Sequence, residues 1–157
     1  MNPAVMKCET SSHGGRRASA GYLALVAAAA LYFLAGSARA DLDEAYQALN
    51  RADYGAALRL FSEMAEAGDA DALYELGRIY SEGLGVPPDD GTAADYYRQA
   101  AELGHSGAQV ALGYAYDFAL GVPHDRMQAE QWYARAMASG SVTGMNNLAY
   151  SWADRGI

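Results

Sequence analysis

The sequence repeats itself with a period of 36 residues. Segments of one pattern begin at Gly68, at Gly104 and at Gly140, and the motif Ala-x-x-x-Leu-Gly-x-x-Tyr stands at the same place in the first two of them. A fixed period of this size is typical of solenoids, in which small units cannot bury their apolar faces alone and therefore stack on one another. The repetition favours a binding scaffold over an enzyme.

Each unit is predicted to form two helices joined by a turn. In the segment 69–104, apolar residues follow Ala72, and later Ala93, at spacings of three and four, which is typical of one buried helix face. Residues 83–90 between them read Gly-Leu-Gly-Val-Pro-Pro-Asp-Asp. Glycine reaches left-handed backbone angles and proline lacks an amide proton, so this stretch interrupts the helix.

The turns carry residues that are suited to cap the helices. Asp89 or Asp90 is expected to accept hydrogen bonds from the free amides that open the second helix, and Asp125 is expected to do so in the next unit. A cap of this kind stabilises a helix by about 1 kcal/mol. Gly104 and Gly140 are expected to end the second helices.

A longer motif occurs twice. In the first copy it consists of Ala72, Leu76, Gly77, Tyr80, Gly83, Gly85, Val86, Pro87, Asp89, Ala93, Tyr96, Tyr97, Ala100 and Gly104. In the second copy it consists of Ala108, Leu112, Gly113, Tyr116, Gly121, Val122, Pro123, Asp125, Ala129, Trp132, Tyr133, Ala136 and Gly140. This motif resembles the Sel1-like repeat, a relative of the tetratricopeptide repeat. The resemblance implies an all-α fold, an α-solenoid of stacked antiparallel helix pairs that forms a right-handed superhelix. The second copy departs from the pattern at Ala119, where glycine is expected.

The repeats divide the chain into units. Segments 69–104 and 105–140 are full Sel1-like repeats, and 41–68 is a degenerate unit whose short turn resembles that of an ordinary tetratricopeptide repeat. Its helices are expected at roughly 42–52 and 54–67. Segment 141–157 is either a natural cap or the start of a longer array, and the sequence leaves both open.

The segment 1–40 is predicted to be a secretory signal peptide. Basic residues, including Lys7, precede an apolar run at 22–36, and the small residues Ala38 and Ala40 follow at the spacing of a cleavage site. Cleavage after Ala40 would give a periplasmic or secreted protein. The alternative is that 22–36 remains as a membrane anchor, although it is shorter than the ~20 residues that a spanning helix needs.

Removal of residues 1–40 would leave an acidic chain without cysteine. It would hold seven arginines and no lysine against 18 acidic residues, hence a net charge of −11. Such a surface repels nucleic acid and anionic membranes and favours basic partners. We therefore expect a protein or peptide partner with a basic or apolar segment, no nucleic acid, and no membrane contact after cleavage.

Little in the sequence points to catalysis. His105 and His124 both stand beside turns, and we interpret them as solvated turn histidines. Neither belongs to a metal-ligand spacing, and no glycine-rich phosphate loop follows a strand. We expect no catalytic residue, no cofactor and no metal.

The resemblance places the binding surface on the first helices, which line the concave face in tetratricopeptide-like arrays. The residues implied to face the groove are Asp71, Tyr74, Arg78 and Glu82 in one unit, Gly107, Val110, Tyr114 and Phe118 in the next, and Thr143, Asn146, Tyr150 and Asp154 in the last. The tyrosines Tyr74, Tyr114 and Tyr150 offer large contact areas with polar tips, as peptide-binding grooves do. The alternative is that these rings only cover the seams between repeats.

Together these features predict a non-catalytic protein-interaction scaffold or regulator in the envelope of a bacterium. Two alternatives stay open at the level of sequence. One is a secreted hydrolase or cell-wall factor built on the same repeats, and the other is an accessory segment of a larger protein.

Overall fold

A computed structural model describes residues 41–153. The signal peptide predicted for 1–40, and the part of the last unit at 154–157, lie outside these residues. The helices are α1 (41–50), α2 (Tyr54–Glu66), α3 (Ala70–Glu82), α4 (Asp90–Glu102), α5 (Ser106–Phe118), α6 (Arg126–Ala138) and α7 (Val142–Ala153). No strand occurs among the described residues, and the chain is an α-solenoid of helix pairs, as the sequence predicts. Between residues 41 and 153, no helix combines the length and apolar character needed to cross a membrane.

The end of α1 differs from the prediction. The sequence predicts that this helix continues to Ala52. The helix stops at residue 50 instead, because Ala52 adopts a left-handed φ of 57° in the turn. The second helix of this unit begins at Tyr54 as expected, with the side chain of Asp53 accepting a hydrogen bond from the amide of Ala56.

Aspartates cap the second helices. Asp89, rather than Asp90, is the cap of α4, and its carboxylate accepts hydrogen bonds from the amides of Gly91 and Thr92. The bond from Thr92 is the main reason why the pKa of Asp89 lies below its ordinary value. Asp125 caps α6 in the same way, as predicted.

The turn after α5 keeps the geometry of its glycine-containing counterpart. Gly83 ends α3 with a φ of 69°, and Ala119 ends α5 with a φ of 56°. Ala119 therefore adopts a left-handed backbone conformation, which is less favourable by about 1 kcal/mol or more for a residue with a Cβ atom than for glycine. The presence of alanine in place of glycine thus raises the free energy of this turn but leaves its backbone conformation unchanged.

The two helices of each full repeat meet at a glycine. A Cβ atom added to Gly77 would lie 2.5 Å from the ring of Tyr97, and one added to Gly113 would lie 2.6 Å from the ring of Tyr133. The prediction that these glycines sit in a close seam is confirmed. The seam lies within each repeat, between its first and second helix.

Successive units are fixed to one another by the loops and by buried aromatic residues. A Cβ atom on Gly85 would lie 2.5 Å from Cβ of Tyr54, and one on Gly121 would collide with the backbone carbonyl of Asp90. The loop of each unit thus rests on the start of the preceding unit's second helix. Trp132 of α6 joins the core cluster that contains Leu112 and four residues of α3–α5.

Candidate functional site

An apolar cavity of about 370 Å³ opens beside the first helices of the two full repeats. We call it the junction cavity, because α3 and α4 of one repeat and α5 of the next contribute to its walls. Its lining consists of Tyr74, Ser81, Asp90, Ala93, Ala94, Tyr97, Gly107, Val110, Ala111, Tyr114, Ala115, Leu120, Thr143 and Asn147. Five of the residues that the sequence places in the groove are brought together here: Tyr74, Gly107, Val110, Tyr114 and Thr143.

Aromatic rings form part of the cavity wall. The centroids of the rings of Tyr74 and Tyr97 are 5.8 Å apart. Burial, with the neighbouring Tyr74, raises the pKa of Tyr97 to about 12, and Ser81 hydrogen-bonds to its hydroxyl group. Tyr97 is therefore a neutral phenol at physiological pH, held by the glycine seam behind it and by Ser81.

Tyr74 stands both at the cavity and at the seam between repeats. Its ring stacks on the imidazole of His105 at 4.5 Å between centroids. His105 belongs to the start of the next repeat, and Gly107 of that repeat lies against the same two rings. Tyr74 therefore lines the cavity, as a groove residue would, and also covers the seam between two repeats.

His105 is not a solvated histidine, and this interpretation was wrong. Its side chain is 20% exposed. Nδ1 accepts the amide hydrogen bond of Ala108 at 2.9 Å and so caps α5, while Nε2 lies 3.2 Å from the carboxylate of Asp71. The cap requires an unprotonated Nδ1, so the Nε2–H tautomer donates to Asp71. His124, by contrast, is exposed as expected.

Tyr114 and Phe118 form an exposed ring pair on α5. Their ring centroids are 4.3 Å apart, and the residues are 47% and 56% exposed. Aromatic pairs of this kind are normally buried, because each ring carries a large apolar area. Their exposure on one helix face is the kind of surface that marks an interaction site.

The charged residues that the sequence places in the groove on α3 all have ionic or hydrogen-bonding partners. Arg78 lies 3.1 Å from both Glu75 and Glu82. Burial opposes the charge of Arg78, but the two carboxylates outweigh it and raise its pKa. Tyr46 of α1 donates a hydrogen bond to Glu75 at 3.2 Å, and burial together with that carboxylate raises the pKa of Tyr46 to about 12.

Sequence reasoning did not identify Tyr46 or Glu75 as part of this face. Glu75 is only 5% exposed, although a glutamate in an exposed helix would normally point to water. The only signal of this in the sequence was the position of Glu75, which interrupts an apolar stripe between Leu73 and Leu76.

The C-terminal part of the predicted groove is more open. Tyr150 is 74% exposed and Asn146 is also exposed, and neither lines the junction cavity. Asn147 lines it instead and hydrogen-bonds to the hydroxyl group of Tyr133. Asp154 lies outside the described residues.

Asp90 is the one acidic residue in the cavity lining. It is the first residue of α4 and is exposed, and no cation among residues 41–153 pairs with it. Within the same residues there is no group of three or more His, Cys, Asp or Glu side chains placed to hold a metal ion. The chemistry available at this site is therefore apolar contact, hydrogen bonding and one negative charge.

The Sel1 repeat family model matches the chain three times, at 28–69, 70–105 and 106–141. Among curated protein sequences, none matches the chain.

Solved structures of bacterial repeat proteins resemble the described helices. The antigen c5321 of uropathogenic Escherichia coli, which displays an SLR fold, has 31% identity and a TM-score of 0.71 over 78% of this chain and 27% of its own. This chain therefore spans about a quarter of that antigen. A Sel1 repeat protein from Oxalobacter formigenes has 31% identity and a TM-score of 0.66 over 73% of this chain and 90% of its own. The Helicobacter pylori cysteine-rich protein B shares the fold, with 21% identity and a TM-score of 0.58 over 71% and 95% of the two chains.

Proposed function

Because the chain belongs to the Sel1 repeat family, we propose that it is a non-catalytic scaffold whose first-helix face binds an extended segment of a partner protein. The first-helix face is the surface of α3, α5 and α7 that carries Tyr74, Val110, Tyr114, Phe118 and Tyr150. Sel1 repeat proteins generally mediate protein–protein interaction.

One observation carries the proposal most directly. The exposed pair of Tyr114 and Phe118 stands on the same face as the opening of the apolar junction cavity. An apolar cavity beside exposed rings lets a partner bury both at once, and such central aromatic anchors dominate the energy of most interfaces. The paired charges of Arg78 and Glu82 would lie at the polar rim.

The charge of the chain supports a partner with basic as well as apolar residues. With 18 acidic residues against seven arginines beyond residue 40, the surface attracts cationic segments and repels nucleic acid and anionic lipid. Ten of the acids on this part of the chain serve as caps or have cationic or histidine partners: Asp53, Glu63, Asp69, Asp71, Glu75, Glu82, Asp89, Asp95, Asp125 and Glu130. The remaining acids give the field that would steer such a segment.

The location we propose is the bacterial envelope. The predicted signal peptide supports it, and the mature chain would begin at Asp41. Mass spectrometry of the protein from the periplasmic or culture fraction tests this directly. A full-length chain retained in the membrane fraction would instead identify residues 22–36 as an anchor.

Partner capture tests the function. Immobilised wild type and a Tyr114→Ala, Tyr150→Ala double variant are compared as baits in an envelope extract, with Met127→Ala as the control at an exposed apolar residue of α6. The double variant should retain at least about tenfold less of the partner, since each anchor ring contributes on the order of 2 kcal/mol. Equal capture by a folded double variant would reject the first-helix face as the binding surface.

A further inference from the structure

We propose that the junction cavity receives one aromatic side chain of the partner segment, and that the Asp90 carboxylate pairs with an arginine or lysine adjacent to it. This inference rests on the proposed binding of a protein segment at the first-helix face. It adds the chemistry that the segment must carry.

The size of the cavity suits one ring. Its volume of about 370 Å³ is more than twice the ~150 Å³ of an engineered apolar cavity that binds benzene. It lies at the lower end of the range of about 300–1,000 Å³ that small-ligand sites span. The cavity therefore has room for one phenyl, phenol or indole ring together with its methylene group and part of the neighbouring backbone.

The walls favour a ring over an aliphatic side chain. Tyr74, Tyr97 and Tyr114 all line the cavity. Aromatic rings attract one another in offset or edge-to-face contacts beyond the area that they bury. The small side chains of Ala93 and Ala111 leave the space between these rings open.

Asp90 is positioned to form an ion pair with a basic residue next to the buried ring of the partner segment. Its backbone is held because Gly121 of the next loop packs directly on its carbonyl group. Two other acids of the predicted groove already have partners, Glu82 with Arg78 and Asp71 with His105. Successive residues of an extended segment are about 3.3–3.8 Å apart, so a residue next to the buried ring remains within reach of the cavity rim.

Defined peptides separate the two parts of the proposal. The probe is a fluorescein-labelled heptapeptide, Gly-Ser-Arg-Trp-Arg-Ser-Gly, which presents a basic residue on either side of the ring. Binding to the chain beginning at Asp41 is followed by fluorescence anisotropy. Replacing its Trp by Ala should weaken binding by about tenfold or more, and replacing both Arg by Gln should weaken it several-fold and reduce its sensitivity to salt.

Protein variants assign the effects to the cavity. Ala111→Phe should fill the cavity and lower affinity for the Trp peptide by about tenfold or more, whereas Ala138→Phe on the exposed end of α6 should not. Asp90→Asn should remove the preference for Arg over Gln beside the ring, whereas Glu102→Gln at the exposed end of the same helix should preserve it. Circular dichroism and urea unfolding of each variant establish that it is folded.

The outcomes distinguish this inference from the proposed function. No saturable binding of the Trp peptide up to about 1 mM, or equal binding by folded Ala111→Phe, would overturn the aromatic pocket. An unchanged Arg preference in Asp90→Asn would overturn the role of that carboxylate. If the natural partner were still lost by the Tyr114→Ala, Tyr150→Ala variant but captured normally by Ala111→Phe, the proposed function would stand and the pocket would not.

Discussion

The ring of Tyr133 lies so close to Gly113 that a methyl group on this glycine would be 2.6 Å from ring atom Cε1. Tyr133 is only 1% exposed, and its hydroxyl group is hydrogen-bonded to Asp117 and Asn147. The ring therefore has little freedom to move away. The same close contact occurs between Gly77 and the ring of Tyr97, so it is a recurring structural feature of the full repeats.

Gly113→Ala should consequently lower the free energy of unfolding by about 1–3 kcal/mol, and Gly113→Leu by at least as much. An alanine, Ala149, stands at the matching position of α7. Ala149 is exposed, however, so it offers no precedent for a methyl group in the seam. Urea unfolding measures the effect.

Gly55→Ala is the matched control for the seam. The nearest atom to a new Cβ at Gly55 is 4.0 Å away, at the carboxylate of Asp53. Alanine should be neutral or stabilise α2 here by up to about 1 kcal/mol, because glycine is a poor helix former. Equal stability losses for Gly55→Ala and Gly113→Ala would refute the special role of the seam.

Ala119→Gly should stabilise the protein by about 0.5–1 kcal/mol. Ala119 holds a φ of 56°, which glycine adopts without steric strain. The same replacement at Ala138, the last residue of helix α6, should instead be neutral or destabilising. A fall in the melting temperature of Ala119→Gly would show that the turn carries no strain.

The helix-capping role of His105 gives a third prediction. His105, Asp69 and Ser141 occupy matching positions in successive units, and each side chain accepts a hydrogen bond from the amide three residues on. His105→Ala should cost about 1 kcal/mol in the free energy of unfolding. His105→Ser should recover most of this loss, because serine already serves as the cap of α7. Identical unfolding midpoints for wild type and His105→Ala would contradict the capping role.

The periodicity of the sequence was enough to predict the helix pairs of the full repeats, the aspartates that cap their second helices and the glycine seams, since each depends on residues at fixed spacings within one unit. The junction cavity could not be predicted in this way. It combines Tyr74 with Ala93 and Tyr114, and its shape depends on how one repeat is rotated against the next. His105 was misinterpreted for a related reason, because its stacking partner Tyr74 belongs to the preceding unit.

Alkaline pH should weaken the fold through Tyr97. The pKa of this tyrosine is raised from 10.0 to about 12 in the folded protein, mainly by burial. Between these values the unfolded chain loses the proton first, so the stabilising contribution is complete below pH 10 and declines as pH rises towards 12.

Tyr97→Phe removes this titration. Its free energy of unfolding should fall less than that of wild type between about pH 9 and about pH 11, as measured by urea unfolding. Tyr150→Phe, at an exposed ring, should follow wild type. Parallel declines for wild type and Tyr97→Phe would show that the pH dependence arises elsewhere.

Binding of the partner on the first-helix face is the central claim, and site-specific photo-crosslinking tests it most directly. A photoreactive phenylalanine analogue is placed at Tyr114 on α5 or at Gln131, an exposed residue of the second helix α6. After irradiation of cells that produce each variant, the position of Tyr114 should yield a discrete protein adduct and that of Gln131 should not. An adduct at Gln131 with none at Tyr114 would contradict the account and place the partner on the opposite side of the solenoid.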